Sequence, residues 1–209
     1  MQQNTLYQLG NIPFPLSALS DIYTSTKYIS DKARRLEQNG LILRLKKGLY
    51  IRNDKEESQP ISELIANHIY GPSYVSMLSA LRHYGLIPEH VYATQSMTIK
   101  HSRSFETPLG RFDYFSCSKE YFPIGINQHK ENGLQYLIAR PEKALCDLLV
   151  KTHGLFFDTQ DSMTEYLDKD LRFDIETLKS FDIEIIHQCY DKTITREKNI
   201  EILITLAGK

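Results

Sequence analysis

Positive side chains near the amino end are the residues best suited to do chemistry in this sequence. Lys27, Ser30, Arg34 and Arg35 fall in one short amphipathic segment, and Lys46 and Lys47 precede a glycine a few residues later. Lysine and arginine donate to guanine edges in a major groove or to phosphate oxygens, and a serine hydroxyl bonds either. Thr26 follows Ser25 where a helix would begin, so backbone amides there could face a phosphate. Lys46-Lys47-Gly48 suits a contact that holds phosphate without reading sequence, because an ammonium is a compact point charge. Arg44 and Arg52 are secondary candidates for the same work. Asp31 is the misfit, since DNA repels a carboxylate unless it accepts from cytosine or pairs with a nearby arginine.

Other constellations carry less. Ser76, Ser79 and His83 lie at helical spacing, but no Gly-x-Ser-x-Gly elbow accompanies them, and Ser73 has the duty of a helix N-cap. Asp113, with Glu106 and Lys100 nearby in sequence, is a thin version of a metal-dependent nuclease pattern. Arg140 and Lys143, at the start of a helix, are candidates for binding a partner. The seven histidines show no paired ligand spacing, and the glycines form no phosphate-cradling loop, so neither a metal nor another cofactor is expected. Cys117, Cys146 and Cys189 are odd in number and far apart, which predicts free thiols in the cytoplasm. No run of apolar residues is long enough to span a membrane, and the first residues lack the features of a secretory signal.

The elements that would position these groups follow from periodicity. Stepping about 100° per residue from Ile29 puts Ala33, Leu36 and Gly40 in one sector and Lys27, Ser30, Asp31, Arg34 and Gln38 opposite. A shorter helix, Pro15 to Ile22, supplies Leu16, Leu19 and Ile22 for the inner sector to pack on. Residues 41–52 then read as a strand, a tight turn and a strand. Helix, turn, helix and hairpin in that order predict a winged helix-turn-helix over residues 1–53. The polar run 53–60 predicts a linker. Beyond it, Pro60 opens an amphipathic helix, Ser73 begins another that Gly85 ends, and three strands are expected at Val91–Thr98, Ile99–Phe105 and Gly110–Cys117. In the last of these, Phe112 and Tyr114 should face inward and Arg111 and Asp113 outward. Thr107-Pro108-Leu109-Gly110 is the turn joining two of them. A strand over Leu134–Ala139 and a helix from Pro141 with a buried stripe at Ala144, Leu145, Leu148 and Leu149 complete the second unit, residues 60–209, with acidic helices from about 155. The expected fold class is α+β: a winged helix-turn-helix, then a mixed domain whose small, mainly antiparallel sheet is flanked by helices, with a helical C-terminal tail.

Charge follows the same division. The formal net charge of −1 conceals +5 over residues 1–53, −1 over 54–154 and −5 over 155–209. A basic module joined to an acidic remainder is the asymmetry of a chain that meets nucleic acid at one end.

Four pieces of this sequence occur in the order found in a known family. They are Gly48-Leu49-Tyr50-Ile51-Arg52; Pro72-Ser73-Tyr74-Val75-Ser76 with Ala80-Leu81 and Tyr84-Gly85-Leu86-Ile87-Pro88; Glu106-Thr107-Pro108-Leu109-Gly110-Arg111-Phe112; and Ala139-Arg140-Pro141-Glu142-Lys143-Ala144-Leu145-Cys146-Asp147-Leu148-Leu149. Over about Leu16 to Leu149 the chain resembles the AbiEi-type antitoxins of abortive-infection systems. The resemblance implies a transcriptional regulator of the type IV toxin–antitoxin class, not an enzyme. It implies repression of the operon through double-stranded DNA with inverted repeats; a single module makes too few phosphate contacts for useful specificity, so two copies of the chain are expected on a two-fold repeat. It also implies a second domain that counteracts a nucleotidyltransferase toxin. Two other classes stay open at this point: a winged helix that binds protein rather than DNA, and a nuclease built on Asp113.

Overall fold

The computed structural model describes residues 6–24, 28–53, 60–88 and 91–208. They form a mixed α and β structure around two hydrophobic clusters of unequal size, which meet at one hairpin. Thr26 and Lys27, and most of the expected linker over residues 53–60, lie outside the described residues.

The amino-terminal part runs through β1 (Phe14–Pro15), α1 (Leu16–Ile22), α2 (Ile29–Gln38), β2 (Ile42–Lys46) and β3 (Leu49–Arg52). The three strands make an antiparallel sheet in the order β1-β3-β2. Helix α2 ends where Gly40, at φ +68°, lets the chain turn. The Gly40 amide then bonds the Glu37 carbonyl and the Leu41 amide the Leu36 carbonyl, which is a Schellman cap. Asn53 fastens this corner, donating its side-chain amide to the Gly40 carbonyl at 2.8 Å. Leu6, Phe14, Leu19, Ala33, Leu36, Ile42 and Tyr50 form the smaller cluster.

The hairpin serves both clusters. Ile42 and Tyr50 turn toward the small one, whereas Leu45 and Ile51 belong to the large one. A β-bulge lies between Arg44 and Lys46: Arg44 faces Tyr50 and Lys46 faces Leu49, so Leu45 is the extra residue. A bulge re-aims the side chains that follow it, here that of Lys46.

The larger part comprises α3 (Ser62–Ile69), β4 (Ser73–Val75), α4 (Met77–His83), β5 (Ala93–Thr98), β6 (Arg103–Thr107), β7 (Gly110–Ser116), β8 (Ile126–Glu131), β9 (Leu134–Ala139), α5 (Pro141–Lys151), α6 (Gln160–Glu165), α7 (Ile183–Lys192) and α8 (Glu197–Ala207). Its six strands lie in the order β6-β7-β5-β4-β9-β8. This sheet is mixed: three of its five pairings are antiparallel, while β5 pairs β7 and β4 pairs β9 in parallel. Phe112 and Tyr114 do face inward, and Thr107 pairs with Gly110 across the expected turn.

Ser73 is not a helix cap. It starts β4, whose three residues are all buried, and the following helix begins only at Met77. The acidic carboxy-terminal segment is helical but is no appendage. Ile185, Ile186, Cys189, Ile200 and Leu203 are buried in the main cluster. Asn199 pins them, donating to the carbonyls of Leu149 and Leu155 at 3.1 and 3.0 Å and accepting from the Phe157 amide at 3.1 Å.

Candidate nucleic-acid interface

Helix α2 shows two unlike sectors. Ala33 and Leu36 are buried against α1, where Leu19 receives them. Ser30, Asp31, Arg34, Arg35 and Gln38 are exposed. Arg34 lies 4.0 Å from Asp31, both more than half exposed, a pairing worth little in water and readily exchanged for another anion. Asp31 thus has the arginine neighbour that its awkward position requires. Lys32 is not part of this outward set. Its ammonium sits 4.5 Å over the Tyr23 ring and ties α2 to the end of α1.

The hairpin divides its cations. Lys47 is exposed in the turn and Arg44 is exposed on β2. Lys46 differs from the expected tip contact. The bulge turns it toward the larger part, where its ammonium donates to the Ile69 carbonyl at the end of α3. Burial, together with the charges of Lys100 and Arg103, lowers its pKa. Arg52 is also not available at the surface, being buried with its guanidinium 4.2 Å over the Tyr7 ring. Of the sequence-predicted residues in this region, the structure therefore brings Ser30, Arg34, Arg35 and Lys47 to the surface and takes Lys46 partly away.

The partner-binding pair does not exist as a pair. Arg140 is on the surface, between Glu142 and Asp182 at 3.6 Å each. Lys143 is fully buried and cannot meet a partner. Its ammonium lies 3.3 Å from the Asp147 carboxylate one turn along α5, donates to the Tyr121 carbonyl at 3.2 Å and stands over the Tyr121 ring. Asp147 also accepts from the hydroxyls of Ser76 at 2.6 Å and Tyr74 at 3.0 Å. Two segments that stand about seventy residues apart in the chain, one around Tyr74 and one around Lys143, are joined by this node. Sequence reasoning missed it, although a lysine and an aspartate spaced four apart on a helix were the signal.

The enzymatic constellations come apart. Ser76 is spent on Asp147, Ser79 accepts from the Gln95 amide at 2.9 Å, and His83 pairs with Glu63 at 3.8 Å. Asp113 and Glu106 converge on Arg111, at 2.9 and 3.8 Å, while Lys100 turns away to the Gly71 carbonyl. Among the described residues, no three His, Cys, Asp or Glu side chains are placed to hold a metal ion, and no helix is long and apolar enough to cross a membrane. Cys117, Cys146 and Cys189 are free thiols, the last two buried.

No protein-family model matches the chain, and no curated protein matches it.

Proposed function

We propose that residues 6–53 form a winged helix that binds duplex DNA, and that the chain is the repressor and antitoxin of a type IV toxin–antitoxin operon. One observation carries the DNA half. Helix α2 buries one sector and leaves Ser30, Arg34 and Arg35 standing outward, beside a hairpin whose turn exposes Lys47. That is the arrangement in which a recognition helix enters a major groove and a wing rests on the backbone. Because the Arg34–Asp31 pair is loosely held in water, Arg34 can offer its remaining N–H groups to a base or phosphate with Asp31 still beside it. One such module makes too few contacts for useful specificity, so two copies engage an operator with inverted repeats.

The antitoxin half is supported by the ordered motifs of the second unit and their likeness to AbiEi-type proteins, with a nucleotidyltransferase as the toxin. Free thiols and the lack of a membrane-crossing helix among the described residues favour a cytoplasmic place of action. The test has two arms. In a mobility shift with the DNA upstream of its own gene, Arg34→Ala should change the preference among operator variants by about 1–3 kcal/mol. Lys47→Ala should weaken all duplexes alike. Co-expression with a nucleotidyltransferase encoded next door should restore growth. Unaltered binding in both variants ends the DNA reading, and unrelieved toxicity ends the antitoxin reading.

A further inference from the structure

Two helices end at one cavity. It measures about 390 Å³ and lies where the last turn of α5, the segment after α7 and the end of β7 come together. That size is within the range of small-molecule sites. Lys151 closes α5, Lys192 closes α7, and both line the cavity. Among the described residues, neither ammonium makes an ion pair with a carboxylate. No described Asp or Glu lines the cavity either, although residues 155–209, which supply one of its walls, carry a net charge of −5. A lysine at a helix C-terminus complements the partial negative charge there, and that accounts for each lysine alone. It does not account for their meeting at a cavity without carboxylates.

The other walls divide into donors and an apolar side. Ser118 accepts from the Tyr121 amide at 3.2 Å, which leaves its O–H to donate. The hydroxyls of Ser116 and Thr195 have no partner among the described residues. Val150 and Ile194 form the apolar side, and Ile194 stands 83% exposed. Cys117 lines the cavity as a neutral group, because burial and the Asp147 charge push its thiol up to about 11 against the pull of Lys143 and Lys151.

We propose that this cavity binds a small organic phosphate monoester, with its phosphate between Lys151 and Lys192 and its organic part against Val150 and Ile194. Two ammoniums and three hydroxyls offer more donors than the roughly four acceptor positions of a carboxylate can use, whereas the three oxygens of a phosphate dianion match them. Lysine holds phosphate as a point charge, and a planar carboxylate favours the arginine fork that is missing here. The exposed Ile194 gives the organic part a surface to cover, which free phosphate would leave wet. The site does not depend on the DNA reading.

The test is isothermal titration calorimetry of the full chain with phenyl phosphate, a hexose phosphate and a nucleoside monophosphate, each compared with inorganic phosphate. At least one monoester should bind more tightly than about 1 mM, and about tenfold more tightly than inorganic phosphate. The bound ester should also slow maleimide labelling of Cys117, since Cys146 and Cys189 are buried. Lys151→Gln with Lys192→Gln should weaken binding by about tenfold or more. Thermal unfolding run in parallel shows whether the two helix ends survive that change. Ile194→Glu serves where they do not: it alters an exposed side chain and should weaken the ester as much by repulsion. Equal affinity for inorganic phosphate and every monoester makes the cavity an anion surface only and overturns the proposal. So does binding that survives both the lysine variant and Ile194→Glu, failure of every monoester to bind, or competitive displacement of the ester by a random-sequence duplex.

Discussion

Arg34 and Lys143 are cations at comparable distances from an aspartate, 4.0 Å and 3.3 Å, yet they occupy opposite surroundings. Arg34 and Asp31 stand in water, 70% and 59% exposed, so their attraction is screened and the pair opens freely. Lys143 and Asp147 are sealed at 0% exposure, where removing either partner strands a charge that no solvent can reach. The same pairing is thus slack in one region and obligatory in the other. A loose surface pair leaves an arginine able to exchange its partner for a ligand. A sealed pair, further bonded to Tyr74, Ser76 and the Tyr121 carbonyl, is a fastening between β4, α5 and the segment before β8. The same pair of charges therefore differs between the two regions through its access to water alone.

The sharpest way to break this contrast is Asp147→Ala. It should destabilise the chain by about 3–5 kcal/mol in urea unfolding, since the Lys143 ammonium is left buried and unpaired. Replacing both residues with apolar ones of similar size, Lys143→Met with Asp147→Leu, should recover most of that loss. Duplex binding by the folded fraction should not change in either variant. A loss below about 0.5 kcal/mol for Asp147→Ala would place the pair among surface ion pairs and erase the distinction.

Next in size is the loss expected on the other side. Under the proposed reading, Arg34→Ala should cost about 1–3 kcal/mol of operator discrimination in competition binding and almost nothing in stability. If instead it melts the protein without touching DNA affinity, α2 is a packing helix and the outward sector has no ligand.

How far the two regions could be read in advance follows from the same contrast. Helix α2 was legible because its period separates Ala33 and Leu36 from Ser30 and Arg34, one face wet and one dry. Strand β7 was legible for the same reason, with Phe112 and Tyr114 alternating against Arg111 and Asp113. Periodicity fails where no face is wet. Every residue of β4 is buried, so there is no alternation to see, and Ser73 imitated a cap. In α5 the stripe Ala144, Leu145, Leu148 and Leu149 was correct, but α7 and α8 cover the opposite side, and Lys143 and Asp147 are buried with it. Strand β8 was hidden for the converse reason, as an edge strand with Gln128, Lys130 and Glu131 outward and little apolar signal. Lys46 was misplaced by a single extra residue, which no residue type announces.

A smaller effect separates two adjacent lysines. Lys47→Ala should lower the salt slope of duplex binding by about one unit and leave the unfolding midpoint in place. Lys46→Ala should do part of both, because its ammonium serves the end of α3; a stability loss of about 0.3–1 kcal/mol is expected from the helix-end interaction. Equal behaviour of the two variants would mean that the bulge does not set their roles.

His83 lies between the extremes, with its side chain 16% exposed beside Glu63 at 25%, and it turns the contrast into a titration. Burial holds the imidazole below its ordinary value of 6.5, with His129 pushing the same way and Glu63 and Glu131 pulling against them. The folded chain therefore binds fewer protons at this ring than the unfolded chain does. Stability from this group is complete above 6.5 and is lost as pH falls below that value toward the lower folded one. Urea midpoints measured on either side should decline on acidification in the wild type, and His83→Gln should flatten that part of the curve. A midpoint that rises on acidification would show the Glu63 attraction exceeding the penalty of burial.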